Sequence, residues 1–122
     1  MDIERRRDIR LSTTVGPYKV SFRFRGRHVT RARLVNVSAG GCGLEIQMAD
    51  ARDIDTGAVL EEFFLLHRDL PCVPLQATVV RMLGKVPGKT SGYVLVGLEF
   101  SMITGFVQNL IRGHVESHAG VT

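Results

Sequence analysis

The sequence predicts a mainly β protein, a small antiparallel barrel or sandwich with one helix docked on it. Short apolar runs with alternating polarity recur about every ten residues, and turn residues separate them. Only the C-terminal segment changes to helical spacing. The chain has 122 residues, which suits a single domain with one hydrophobic core.

Six segments have the composition of strands. Val20, Phe22 and Phe24 alternate with polar residues, and a turn at 25–27 leads into a second alternating run, so the two form a hairpin. The last segment has the strongest strand propensity because it is almost entirely β-branched, aromatic or leucine. The predicted strands are 20–25, 28–35, 42–46, 58–66, 75–82 and 93–100.

One amphipathic helix is predicted at the end of the chain. Apolar residues there recur at spacings of three and four, which places them on one helix face. Ser101 is the predicted N-cap, and the helix is expected to fray after His114. The predicted apolar face consists of Ile103, Phe106, Val107, Leu110, Ile111 and Val115.

Positive charge is concentrated in the first third of the chain. Residues 1–35 contain ten Lys/Arg against three Asp/Glu, a net +7, and the remainder contains six against nine, a net −3. This asymmetry indicates an anionic partner: nucleic acid, a nucleotide or a membrane surface. The alternative is a solvated basic face that serves solubility only.

Several classes are excluded by the sequence. No segment approaches the roughly 20 apolar residues of a membrane span, and no apolar run follows the first residues, so neither membrane insertion nor a signal peptide is expected. A cytoplasmic location follows as the prediction. Cys42 and Cys72 lack the spacing of a metal site and are expected to be buried free thiols.

Candidate catalytic groups are poorly arranged. Ser38 has no evident base, and Glu61 and Glu62 point to opposite faces of a strand. His114 and His118 are four residues apart on the predicted helix, but no third metal ligand is evident in sequence. The sequence therefore predicts no enzyme, no catalytic residue, no metal site and no cofactor.

Two motifs remain as candidates for binding. Arg5, Arg6, Arg7 and Arg10 place four permanent cations in a short arm, and the segment 36–41 is a polar turn that ends in two glycines. A guanidinium fork fits phosphate oxygens or the O6/N7 edge of guanine. A Gly-rich turn allows backbone N–H groups to approach an anion. The two motifs suggest a small ligand that contains both phosphate and guanine.

Both motifs resemble signatures of the PilZ domain family. The segment 6–10, preceded by Arg5, resembles the RxxxR signature, and 36–41 resembles [D/N]xSxxG, with Asn36 in its first place. The segment 96–100 also resembles the final strand of the family. The resemblance implies a six-stranded antiparallel β-barrel with a C-terminal α-helix, here 13–122, preceded by a ligand-binding arm, 1–12.

The resemblance also implies that the protein binds cyclic di-GMP. Arg6 and Arg10 would contact phosphates and guanine edges, and Asn36 and Ser38 would hydrogen-bond a guanine. An arginine directly before the first signature, here Arg5, implies two stacked messenger molecules per domain. The arm is expected to be mobile without ligand. The implied ligand-binding residues are Arg5, Arg6, Arg10, Asn36, Ser38, Gly40 and Gly41.

The predicted function is a non-enzymatic sensor that changes conformation on binding cyclic di-GMP and signals to an effector protein. Nucleic acid is an unlikely partner because the sequence lacks a helix-turn-helix pattern and a basic recognition helix. Two alternatives stay open: a small basic nucleic-acid-binding β-barrel, and an interaction module that binds no nucleotide.

Overall fold

The computed structural model describes residues 9–14 and 16–118. This part of the chain forms eight strands and one C-terminal helix. The elements are β1 (Leu11–Ser12), β2 (Lys19–Phe24), β3 (Arg27–Val29), β4 (Arg33–Val37), β5 (Gly41–Gln47), β6 (Val59–Leu66), β7 (Leu75–Leu83), β8 (Tyr93–Met102) and α1 (Gly105–His118).

Six of the strands close into an antiparallel barrel. The strand order is β1-β4-β5-β8-β7-β6-β2-β3, and a further pairing of β4 with β2 joins the ends of the six inner strands. Lys19 opposite Arg33 makes this closing contact. β1 and β3 lie outside the ring, beside β4 and β2. The structure confirms the predicted six-stranded barrel with one C-terminal helix.

The barrel interior is filled by the inward side chains of alternating strand positions. Phe22 of β2 and Phe63 of β6 are fully buried, and their rings lie 6.2 Å apart. Leu34, Leu44 and Ile46 are also fully buried. Each such side chain contributes roughly 1.5–3 kcal/mol through removal from water, so the strand alternation supplies the main stabilisation of the barrel.

A bulge in β4 changes which residues face outward. Leu34 pairs with Leu44, but Asn36 pairs with Gly43, so β4 contains one extra residue at this point. As a result Val35 and Asn36 are both partly exposed, although Leu34 and Val37 on either side are fully buried. Without the bulge, strict alternation would turn Asn36 into the core.

β7 contains a second bulge. Val79 pairs with Leu98 of β8, and Arg81 pairs with Gly97, so Val80 is the extra residue. Val80 and Arg81 are both exposed on the outer surface. In the sheet order β4-β5-β8-β7, the two bulged strands are the first and the last. Their bulges face the same side of the barrel wall.

The prediction of one strand over residues 28–35 was wrong in one respect, because this segment belongs to two strands. β3 ends at Val29, and residues 30–32 adopt no regular structure before β4 begins. Ala32 is buried although it lies in this connection. The change of partner explains the break, since β3 pairs with β2 and β4 pairs mainly with β5.

The predicted N-cap Ser101 was also wrong. β8 continues to Met102, which pairs with Gln76, so Ser101 is still a strand residue. Thr104 caps the helix instead, since the backbone N–H of Val107 donates to its Oγ1 at 3.2 Å. The pairing of β8 with β7 therefore delays the start of α1 until Gly105.

The helix docks mainly through residues from Ile111 onward, and Val107 also packs against the core. Ile111 and Val115 are buried, together with His114, whereas Phe106 is 73% exposed and Leu110 is 44% exposed. The predicted apolar face is therefore only partly correct, and α1 remains helical beyond His114 as far as His118. Among the described residues, no helix combines the length and apolarity that crossing a membrane requires.

Candidate ligand-binding groove

A groove of about 670 Å³ runs across the outer face of the barrel over β4, β5, β8 and β7. Its volume is in the range of small-molecule sites. Its lining combines cationic, amide, carboxylate and glycine residues with apolar side chains. The polar and glycine positions in the lining are Arg10, Asn36, Gly40, Gly43, Gly97, Arg81 and Glu99.

Four of these residues form one row across four strands. Asn36 pairs with Gly43, Gly43 pairs with Gly97, and Gly97 pairs with Arg81. Strands lie about 4.8 Å apart, so the row extends over about 14 Å from Asn36 to Arg81. The row has an amide at one end, two glycines in the middle and a cation at the other end. It therefore gives the groove a flat floor between two polar ends.

The glycines keep this floor low for different reasons. A Cβ on Gly43 would lie only 3.0 Å from Nδ2 of Asn36, so Gly43 makes room for the Asn36 amide. A Cβ on Gly97 would make an ordinary contact of 3.5 Å with Cβ of Arg81. A Cβ on Gly41 would collide with the carbonyl oxygen of Leu98, so Gly41 is required by the packing of β5 against β8.

Arg10 and Asn36 meet at one end of the groove. Nη1 of Arg10 donates to Oδ1 of Asn36 at 2.7 Å, although the two residues are 26 positions apart. The bond joins the arginine motif to the turn motif. Both residues line the groove, and Arg10 is exposed.

The chain after Arg10 is held firmly on the barrel. Leu11 is buried and pairs with Val37. Thr13 is also buried, and its backbone N–H donates to the carbonyl of Val35 at 2.8 Å. Its hydroxyl donates to the carbonyl of Leu34 at 2.7 Å. These contacts fix the point at which the arginine-containing segment leaves the barrel.

The turn after Asn36 is closed by Ser38. Ser38 is fully buried, and both its backbone N–H and its hydroxyl donate to the carbonyl of Gly41, at 2.8 and 3.2 Å. Gly40 contributes to the groove, and its carbonyl accepts from the N–H of Phe100 at 2.9 Å. Ser38 therefore holds the turn, and its predicted contact with a guanine stays a prediction.

The helix also reaches this turn. Nε2 of Gln108 in α1 donates to the carbonyl of Ala39 at 3.2 Å. Ala39 lies between Ser38 and Gly40, so the contact links the helix directly to the residues that border the groove. A movement of the turn would therefore change the hydrogen bond that connects it to α1.

The two cysteines occupy different environments. Cys42 is fully buried behind the groove, and burial raises the pKa of its thiol far above the usual range, although the charge of Arg10 acts in the opposite direction. This thiol is uncharged at neutral pH and is a poor nucleophile. Cys72 is free but exposed, so the expectation of two buried thiols was wrong for this residue.

The groove wall contains apolar residues that the sequence analysis did not single out. Val80 is 47% exposed, Leu83 is 55% exposed and Leu95 is 46% exposed. All three line the groove, as does Arg81. The sequence offered one signal, because a glycine inside a strand pattern, as at Gly97, often marks a close approach by a ligand or another backbone.

The structure thus brings together Arg10, Asn36 and Gly40 of the predicted site as lining residues. Ser38 and Gly41 form the adjoining turn. Arg5 and Arg6 lie outside the described residues, as does the whole of the segment 1–8.

Four of the described arginines elsewhere in the basic first third pair with acidic side chains. The pairs join β2, β3, β4 and the connection between β3 and β4 to acidic residues from later in the chain, so they reduce the positive charge of that surface. The N···O distances are 3.1 Å for Arg23–Glu62, 3.4 Å for Arg31–Asp50 and 3.7 Å for Arg33–Glu45, and Arg27 pairs with Asp53. Arg10 donates to an uncharged amide in the groove, that of Asn36.

A family model for the PilZ domain matches residues 4–117. The match extends over nearly the whole chain and includes both motifs that meet in the groove. The chain belongs to the PilZ domain family.

Solved structures share the fold at low sequence identity. The PilZ domain with c-di-GMP of YcgR from Escherichia coli has a TM-score of 0.73 and 16% identity, and the alignment covers 95% of this chain and 92% of that chain. The K. pneumonia MrkH–c-di-GMP complex has a TM-score of 0.74 and 18% identity, with 91% of this chain and 51% of that chain covered. The chain therefore spans about half of MrkH.

One relative is more similar over a short region. The S-adenosylmethionine:tRNA ribosyltransferase-isomerase of Burkholderia vietnamiensis is 32% identical over 65 residues. The alignment covers 53% of this chain but only 17% of that protein.

Proposed function

We propose that this protein is a receptor for cyclic di-GMP, which it binds in the groove over β4, β5, β8 and β7. Membership of the PilZ family supports this proposal, as do the similar folds of YcgR and MrkH in structures with c-di-GMP. The observation that carries it is the bond from Arg10 to Asn36. It places the residues of both motifs beside one glycine-floored groove.

The groove chemistry suits a guanine dinucleotide. Arg10 presents a planar fork of donors, which fits a phosphate or the O6/N7 edge of guanine. Asn36 offers both an amide donor and an acceptor to a base edge. Gly43 and Gly97 leave space for a flat purine, and Leu95 offers apolar contact for its face. Arg81 lies at the opposite end of the row, where a second anionic group would be received.

The arm completes the proposed site. The part of the arm before Leu11 would close over the ligand from this anchored position, which adds Arg5 and Arg6 to the contacts. Two stacked cyclic di-GMP molecules per domain are proposed, with Arg5 supporting the second. Charge-assisted hydrogen bonds contribute roughly 1.5–3 kcal/mol each. Two or three arginines together with two polar contacts would supply about 8 kcal/mol, a micromolar affinity, once ordering costs are met.

The proposed output is a changed surface that a partner protein recognises. Arm closure covers the groove, and movement of the turn at Ala39 reaches α1 through Gln108. The protein acts in this proposal as a receptor and not as an enzyme. The buried state of Ser38 and the raised pKa of Cys42 support that assignment, because neither side chain is presented as a nucleophile.

Titration calorimetry with cyclic di-GMP tests the proposal. Arg10→Ala is expected to weaken binding at least about 10-fold, and Arg81→Ala is expected to weaken it as well, because each removes a charge-assisted contact. Arg23→Ala is the matched control, since Arg23 pairs with Glu62 on another part of the barrel. The unfolding temperature without ligand should change little in all three variants.

Equal affinity of the Arg10→Ala variant and the parent would reject the proposed site. The fitted stoichiometry of the parent decides between one and two ligands per domain. A basic nucleic-acid-binding barrel is the rival, and it would prefer long polymers and lose affinity steeply with salt. The ion pairs around Arg23, Arg31 and Arg33 argue against it, because they occupy cations that such a surface needs.

A further inference from the structure

Three histidines, one aspartate and one tyrosine meet where the C-terminal end of α1 packs against the connection from β6 to β7. Tyr18 stacks on His67 with ring centroids 4.1 Å apart, and His114 stacks on His118 at the same separation. The rings of His67 and His114 meet edge to face at 5.4 Å. None of these residues lines the ligand groove, so the cluster is separate from the proposed receptor site.

Three members of this cluster present ligand atoms to one point. One potential ligand atom from each of Asp69, His114 and His118 lies within 4.8 Å of the other two. Such spacing places the atoms around a volume that one small cation can occupy, with a modest approach of the side chains. No third ligand for these histidines was evident in sequence, because Asp69 is far from the helix along the chain and only the fold brings it there.

Both helix histidines already have an oxygen partner on one ring nitrogen. Nδ1 of His118 lies 2.9 Å from the carbonyl oxygen of His114, and a carbonyl only accepts, so Nδ1 carries the proton in this bond. The neutral ring then has its lone pair on Nε2. Nε2 of His114 lies 2.8 Å from the hydroxyl of Tyr18. A partner on the second nitrogen orients the ring and is a regular feature of metal-binding histidines.

The ligand residues are held by their neighbours. His114 is buried, and its ring meets those of His67 and His118. His67 has another role, since its Nδ1 accepts from the backbone N–H of Asp69 at 3.1 Å and so holds the aspartate in place.

We propose that Asp69, His114 and His118 form a binding site for a divalent first-row transition-metal ion such as Zn²⁺. Two imidazole nitrogens and one carboxylate oxygen are a donor set that Zn²⁺ accepts, with water in the fourth position. Bound metal would join the last turn of α1 to the β6–β7 connection. The site would therefore fasten the end of the helix to the barrel.

Zinc titration of the untagged, metal-free full chain tests the proposal. Calorimetry with ZnCl₂ is expected to give one ion per chain. At a free Zn²⁺ concentration about 100 times the dissociation constant, the unfolding temperature should rise by about 10 °C. Co²⁺ in the same site should give the visible absorption of a four-coordinate complex with nitrogen and oxygen ligands.

Two exposed ligands allow variants that keep the fold. His118→Ala and Asp69→Asn are each expected to weaken Zn²⁺ binding at least about 10-fold and to remove the rise in unfolding temperature. His28→Ala is the matched control, because His28 is an exposed histidine on β3. Glu116→Gln is a second control on the same helix, and both controls should bind Zn²⁺ as the parent does.

Three results would overturn the proposal. The first is an unchanged unfolding temperature of the parent with excess Zn²⁺. The second is equal Zn²⁺ affinity of His118→Ala and the parent. The third is an equal loss in His28→Ala, which would indicate scattered binding by surface histidines. Cyclic di-GMP affinity should be the same with and without Zn²⁺, so failure of this site and failure of the receptor assignment are distinguishable.

Discussion

At the scale of single residues, the groove depends on positions whose roles look alike in sequence but differ in the fold. Gly40, Gly41, Gly43 and Gly97 are all glycines near the proposed ligand. Gly41 meets the backbone of β8 directly, whereas Gly97 has room for a methyl group beside Arg81. Gly41 of the signature is therefore required by packing, whereas Gly97, outside the two signatures, shapes the groove floor.

This difference leads to a paired prediction. Gly41→Ala is expected to lower the free energy of unfolding by more than about 2 kcal/mol, because the new methyl group collides with the carbonyl of Leu98. Gly97→Ala should change it by less than about 1 kcal/mol and should still weaken cyclic di-GMP binding by raising the groove floor. Urea unfolding and calorimetry measure the two effects. A Gly41→Ala variant as stable as the parent would contradict the steric argument.

Asn36 illustrates what sequence reasoning could and could not supply. Its motif identified it as a ligand residue, but strict alternation from Leu34 would have placed it inside the barrel. The bulge that turns it outward arises from a mismatch of β4 with β5, which are separate segments. Arg81 was not identified for the same reason, since its exposure depends on the bulge opposite Gly97.

At the scale of elements, the strands were easier to predict than the helix boundaries. Alternating polarity is set locally, so β2, β5, β6, β7 and β8 were found close to their observed limits. The start of α1 depends on how far β8 pairs with β7, which is a tertiary effect. The predicted helix face was wrong at Phe106 and Leu110, which are exposed, whereas Val107, Ile111 and Val115 of the same face pack against the barrel core.

The docking geometry predicts unequal effects of neighbouring substitutions in α1. Ile111→Ala is expected to cost about 2–5 kcal/mol of unfolding free energy, because Ile111 is fully buried. Leu110→Ala should cost less than about 1 kcal/mol, since 44% of Leu110 is exposed. Chemical denaturation of both variants measures the difference. Equal losses would mean that α1 is docked in another orientation.

At the scale of the whole molecule, barrel closure explains why distant parts of the chain form one site. β1 lies beside β4, β4 beside β5, and β5 beside β8, so residues from both ends of the chain line the groove. The alternation of polarity could not reveal this order, because it does not specify which strands pair. The family resemblance supplied the six-stranded closure, and the periodicity alone left barrel and sandwich open.

Charge is also organised at this scale. The sequence has a net charge of +4, with the excess in the first third, yet four arginines of β2 to β4 and their connections pair with acidic residues from later in the chain. Asp50 pairs with Arg31 and Asp53 pairs with Arg27. These pairs are largely exposed and add little stability. Their main consequence is to reduce the positive potential of a surface that would otherwise attract polyanions.

The double substitution Asp50→Asn and Asp53→Asn is therefore expected to increase the affinity for single-stranded DNA about 10-fold at low salt. The reason is that Arg27 and Arg31 lose their acidic partners and can contact phosphates instead. This affinity should fall steeply as salt rises, whereas cyclic di-GMP affinity should match that of the parent, since neither aspartate lines the groove. Asp55→Asn, which removes the partner of Lys85, is the control for charge alone. Fluorescence anisotropy measures the DNA binding. A parent protein that already binds single-stranded DNA as tightly as the double variant would show that these ion pairs do not govern partner choice.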